Sequence, residues 1–264
     1  MEYIGPFTYN GIRFGLGSLS LLPLLFYTEK RDHRPKPDIK TMVIGCALAG
    51  AVLFCGASLQ QMGLVYTTAG KAGFITGLYV VIVPILGLFI KQKTSLGMWV
   101  SALIAAWGMY LLSVNEAFTV ATGDLLVLLG AIFWAVHVLI ISWLSPKMNP
   151  LKIAVVQFTA CSLLSVLTAL VVEEVAWQGI KNAAIPILYG GLMSVGIAYT
   201  LQVVGQQKAH PTHASIILSL EAAFAAVGGG LILGEQLSMR GALGCGLLFT
   251  GMLISQLWKR RSVV

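Results

Sequence analysis

Eight side chains that could contact a small molecule or a proton stand inside apolar runs of this 264-residue chain: Glu221, Arg13, Asn10, Gln60, Gln202, His137, Trp134 and Tyr79. A lone intramembrane carboxylate such as Glu221 binds a cation or amine, or carries a proton, when it stands in a wet cavity. Protonated and hydrogen-bonded, the same group ties two helices together, and both readings remain open. Arg13 sits about six residues inside its run. There it snorkels to the surface, pairs with an acid, or binds a substrate carboxylate. The amides of Gln60 and Gln202 contact substrate or water, or bridge neighbouring helices. His137 is either a neutral, satisfied imidazole or a substrate and proton contact. Trp134 lies one turn away on nearly the same face, for packing or for stacking on a ligand. Asn10 and Tyr79 complete the set.

These groups do not form a reacting constellation. His33, His137, His210 and His213 are scattered, and there is no HExxH pattern, no phosphate-binding glycine loop and no pair of mid-run acids. Glu173 and Glu174 are adjacent but fall in a turn. The four cysteines, Cys46, Cys55, Cys161 and Cys245, lie inside apolar runs without metal-ligand or disulfide-framework spacing. The sequence reads as a non-enzyme with no metal and no cofactor.

The elements that position these residues follow from composition. Apolar residues make up 57% of the chain and charged residues 10%. A soluble domain carries about 45–50% apolar residues with glycine included, and about 25% charged. A globular interior cannot hide that many apolar side chains, whereas lipid can surround them. The fold class read is an all-α polytopic membrane protein, since the apolar runs are continuous rather than alternating. Nine transmembrane helices are expected, at Phe7–Tyr27, Met42–Met62, Ala72–Ile90, Leu96–Ser113, Asp124–Trp143, Leu151–Val172, Ala183–Val204, Thr212–Leu233 and Met239–Leu257. Glu221 is then about 13–14 Å along its helix, near the middle of a roughly 30 Å hydrocarbon layer. Pro84 is expected to kink the third span.

The net charge of +7 reads as membrane orientation and not as nucleic-acid binding, because the basic residues cluster between spans. Alternate links hold thirteen Lys and Arg on one side, including Lys30, Arg31, Arg34, Lys36 and Lys40, against Lys71, Lys181 and Arg240 on the other. That places the C-terminus in the cytoplasm and the N-terminus outside, in the inner or plasma membrane.

The chain also matches itself. Ser58–Gly63 resembles Thr200–Gly205 at a spacing of 142, and Gly87–Ile90 resembles Gly230–Leu233 at 143. Phe14 falls over Phe158 at 144. The second half has one span, Asp124–Trp143, with no counterpart before Gly5. The expected organisation is an inverted 4+5 helix repeat, residues 1–113 and 124–258, because a five-helix unit crosses the membrane an odd number of times. A missing first helix, through a displaced start or genuine loss, is the matching expectation.

Several stretches carry a family resemblance: Gly5-Pro6-Phe7-Thr8-Tyr9-Asn10-Gly11-Ile12-Arg13-Phe14, Tyr66–Tyr79, Gly130–Ala135, Ser219–Ala222 and Leu233-Gly234-Glu235. Across nearly its whole length the chain resembles EamA-type transporters of the drug/metabolite transporter superfamily, normally ten helices in two repeats. The resemblance implies a secondary transporter, read as an exporter of a small metabolite such as an amino acid or amphiphile by alternating access. Its partners would be that metabolite and the lipid bilayer, with proton coupling and a homodimer open. The alternatives are a non-transporting membrane assembly or sensor protein, or an inactive truncated transporter.

Overall fold

The computed structural model describes residues 3–29, 38–113, 122–233 and 238–261. Most of the basic link Tyr27–Lys40, together with Gly234 and Glu235, lies outside the described residues. Among the described residues the regular elements are all helical, and nine helices are long and apolar enough to cross a membrane. They are Pro6–Glu29, Met42–Gly63, Ala69–Phe89, Leu96–Ser113, Thr122–Leu144, Pro150–Val172, Ala184–Gln206, Pro211–Gly228 and Met239–Trp258.

Three of these spans are internally divided, which the periodicity does not reveal. The elements in chain order are α1 (Pro6–Glu29), α2 (Ile39–Gly63), α3 (Ala69–Gly77), α4 (Tyr79–Phe89), α5 (Leu96–Ser113), α6 (Thr122–Leu144) and α7 (Pro150–Val172). A short helix α8 (Trp177–Asn182) follows, then α9 (Ala184–Leu188), a π-helical segment (Tyr189–Tyr199) and α10 (Thr200–Gln206) in one span. The chain continues through α11 (Pro211–Leu218), α12 (Leu220–Leu233) and α13 (Met239–Arg261).

The third span breaks at Leu78, not at Pro84, which α4 carries in its interior. Proline removes one backbone donor and crowds the preceding turn. At Leu78 the carbonyl is shared, accepting from Val81 N at 2.9 Å, a tightened i→i−3 bond, and from Ile82 N at 3.1 Å. The eighth span breaks at Ser219, whose hydroxyl donates back to Ile216 O at 2.7 Å. Such back-bonding competes with the helical ladder. Glu221 therefore does not sit on the continuous helix expected from Thr212; it lies in the first turn of α12.

The chain folds as two compact units, one of Met1–Gln61 with Ile140–Ala209, the other of Met62–Leu139 with His210–Val264. Each draws helices from both halves of the sequence. In the first, α1 and α7 run antiparallel. Ser18 Oγ donates to Val155 O at 3.1 Å, and Ser162 Oγ donates to Gly11 O at 2.7 Å. Between them the fully buried rings of Phe14 and Phe158 lie 6.0 Å apart. The spacing of 144 carries Ser18 onto Ser162, Gly11 onto Val155 and Phe14 onto Phe158, so the two helices exchange equivalent contacts. Cys46, Ala49, Ile141, Leu144, Ile153 and Val203 form an apolar cluster in the same unit.

The start of α1 is held from a distance. Glu173, just past the end of α7, accepts from Phe7 N and Thr8 N, both at 2.8 Å, and from Thr8 Oγ1 at 2.6 Å. Its carboxylate thus satisfies two of the N–H groups that every helix start leaves unpaired. Gly5 admits it, since a Cβ there would fall 2.2 Å from Glu173 Cδ. Glu173→Ala is expected to cost about 2 kcal/mol and to lower the thermal midpoint by about 4–8 °C in detergent. Scanning fluorimetry checks this.

In the second unit α5 and α13 cross at backbone contact. A Cβ on Gly108 would lie 2.7 Å from Gly244 O, and one on Gly251 would lie 2.9 Å from Ser101 O. The spacing of 143 carries Gly108 onto Gly251 and Ser101 onto Gly244, so this pair too exchanges equivalent contacts. Ala102, Ala105, Met109, Ile216 and Leu248 fill the core beside the crossing.

Candidate functional site

The first unit brings Arg13 and Asn10 together on α1. They are three residues apart, so one turn of helix places them on one face. Arg13 Nε donates to Asn10 Oδ1 at 3.0 Å. Asn10 is 0% exposed and Arg13 6%. The guanidinium carbon lies 5.1 Å from the centroid of the Tyr9 ring and 4.9 Å from that of Phe14, within cation–π reach. Across from them is the π-helical segment, where a Cβ on Gly190 would fall 2.6 Å from Tyr9 Oη and 3.5 Å from Arg13 Cδ. Arg13 is therefore buried against aromatic rings and bare backbone, not spread along an exposed helix flank. Gln60 on α2 and Gln202 on α10 are half-buried.

Sequence reasoning passed over other polar groups of this unit. Gln206 is 2% exposed, and neither side-chain amide atom has a hydrogen-bond partner among the described residues. The buried hydroxyls of Ser58 and Thr200, equivalent at the spacing of 142, share that condition. The internal match itself was the available signal for the serine–threonine pair.

The second unit holds Glu221, Tyr79, Trp134 and His137. Glu221 is exposed and, among the described residues, makes no hydrogen bond or ion pair that would tie it to a neighbouring helix. It stands one residue into α12, while Tyr79 opens α4, so both lie directly after a helix break. Trp134 and His137 meet edge-on, ring centroids 6.0 Å apart and planes at 87°. Both are buried beside a cluster of Val83, Ala135, Val138 and Leu139. A further polar group, missed in the sequence, is Asp124 in the first turn of α6. It accepts a short hydrogen bond from Thr67 Oγ1, and Lys71 Nζ lies 3.8 Å from its other oxygen. Both partners are some fifty residues distant, and neither interaction is written in the local pattern.

Several known proteins resemble this chain. The model for "EamA-like transporter family" matches residues 1–114 and again residues 121–256. An "Uncharacterized transporter" of Archaeoglobus fulgidus is 30% identical over 258 residues, covering 97% of this chain and 79% of that protein. "Uncharacterized transporter YoaV" of Bacillus subtilis is 21% identical over 272 residues, covering 98% of this chain and 90% of that one. One crystal structure superposes with a TM-score of 0.77 at 19% identity, covering 97% of this chain and 88% of its own, a likeness of fold alone. The nine apolar helices make the chain an integral membrane protein, its matches are transporters and not enzymes, and it belongs to the EamA-like transporter family.

Proposed function

We propose that this transporter exports a small polar or amphiphilic metabolite, such as an amino acid, by alternating access between inverted repeats at residues 1–113 and 124–258. The exchange of contacts between α1 and α7 carries this reading. When residue i of one copy meets j of the other, and the equivalents of i and j meet in reverse, the copies stand in a two-fold relation. Ser18 with Val155 and Gly11 with Ser162 obey that rule, with Phe14 and Phe158 at its centre. The antiparallel course of the helices fits inversion, and the α5–α13 crossing repeats the pattern.

Coupling is to a proton through Glu221. A carboxylate exposed about 15 Å along its span from Pro211 must face water and not lipid, because lipid solvates neither its charge nor its hydrogen bonds. The membrane is the inner or plasma membrane, with the C-terminus cytoplasmic, by the distribution of lysine and arginine.

Two measurements test the reading. An untargeted metabolite comparison of cells with and without the full reading frame is expected to show at least one small metabolite accumulating in the medium of expressing cells. No difference in any metabolite overturns the export assignment. For orientation, a cysteine at the exposed Gln178 should react with a membrane-impermeant thiol reagent in intact cells, and a reporter fused after Val264 should be cytoplasmic. Labelling of that cysteine only after permeabilisation inverts the topology.

A further inference from the structure

Arg13 is the one cation that is buried among the described residues. Its guanidinium stays charged at any accessible pH and has five N–H donors. Among the described residues only Nε is engaged, on the neutral Asn10 Oδ1. No carboxylate forms an ion pair with it among the described residues, and the flanking Tyr9 and Phe14 rings offer their faces but no formal charge. The Asn10 side chain is fully buried, and its Nδ2 has no hydrogen-bond partner among the described residues. Two terminal guanidinium nitrogens and one amide nitrogen are thus gathered on one helix face, all donors and no acceptor.

We propose that Arg13 and Asn10 form a carboxylate-binding site, and therefore that the transported metabolite carries a carboxylate. The planar guanidinium takes both carboxylate oxygens in parallel N–H···O bonds, a geometry that lysine cannot copy. Asn10 Nδ2 donates to one of the same oxygens, while Asn10 Oδ1 holds Nε and fixes the plane of the fork. One guanidinium neutralises one negative charge, which suits a carboxylate; the second charge of a phosphoryl group would be left without a counterion. Gly190 lets the π-helical backbone close over the pair, since any side chain there would meet Tyr9 Oη. The assignment of substrate class rests on the transporter reading, whereas the binding site itself is measurable without transport.

The test uses the purified full chain in detergent and three probe pairs that differ in charge but little in shape: acetate and acetamide, lactate and lactamide, phenylacetate and phenylacetamide. Thermal stabilisation and intrinsic tryptophan fluorescence report binding. At least one acid is expected to bind about tenfold or more tightly than its amide. Asn10→Asp places a carboxylate on the chain itself, where Oδ1 already meets Arg13. It should weaken acid binding by about tenfold or more while leaving the probe-free thermal midpoint equal or higher. Arg13→Gln should abolish acid binding; if that variant does not fold, Asn10→Asp decides alone. The proposal is overturned if no acid outcompetes its amide, if Asn10→Asp binds the acids as before, or if inorganic phosphate binds more tightly than every acid. A protein that changes the metabolite profile yet binds no acid loses this site and keeps its transport reading. One that binds acids and exports nothing does the reverse.

Discussion

Gly244→Leu should leave almost no folded protein in the membrane. A Cβ at that position would lie 2.5 Å from Gly108 O and 2.8 Å from Leu112 N, and both are backbone atoms. No rotamer change relieves such a clash; α5 and α13 would have to separate along their crossing. Membrane helices hold together largely by close packing at small residues, because lipid is as apolar as their flanks. Separation forfeits that contact, at a cost of about 3 kcal/mol or more. The mirrored Gly108→Leu, which meets Gly244 O and Leu248 N, should lose as much. Gly246→Leu is the internal control, since nothing lies within 4 Å of its Cβ. Membrane abundance and the detergent thermal midpoint, measured for all three, separate the outcomes. Equal stability of the Gly244 and Gly246 variants would show that the crossing is not a tight one.

The largest effect on transport is expected from Glu221→Gln. Glutamine keeps the shape and hydrogen-bonding capacity of glutamate but has no titratable group. Because Glu221 makes no hydrogen bond or ion pair among the described residues and glutamine keeps its shape, the exchange should leave abundance and thermal stability within about 0.5 kcal/mol. If Glu221 carries the coupled proton, uphill export of the substrate found in the metabolite comparison should fall about tenfold or more. Its dependence on the pH gradient should vanish with it. Downhill exchange of the same substrate should persist. Unchanged export with an intact pH response would remove Glu221 from the transport cycle.

The spans were legible because hydropathy is a bulk property: twenty apolar residues announce a crossing whatever their order. The divisions within spans were not, since each arises from one residue acting on its own backbone. Ser219 breaks a helix by bonding Ile216 O, yet serine elsewhere in this chain does the same without a break, as Ser101 does on Gly97 O. Proline was no guide to the division of the third span, since α4 runs through Pro84 and the break falls at Leu78. Of the candidate residues, Arg13 with Asn10 and Trp134 with His137 could be paired beforehand because helical spacing puts them on one face. The Glu173 cap could not, since its partner Phe7 is 166 residues away. The α1–α7 exchange was half legible. The internal match set Phe14 over Phe158, but nothing in it said that equivalents touch.

That contact has a consequence for how the protein is made. Gly11 receives its hydrogen bond from Ser162, a residue synthesised 151 positions later. At about 5–20 residues per second, α1 waits roughly 8–30 s for the helix that covers it. Through that interval its apolar flank is tolerable, because lipid is as good a neighbour as another helix. Arg13 has no such refuge: its guanidinium must lean toward the headgroups until α7 and the π-helical segment arrive to enclose it. Assembly of this unit is therefore delayed until more than half of the chain has left the ribosome. A pause or cleavage between α2 and α7 would strand a charged helix in the bilayer without its cover, where the cell's quality control meets it first.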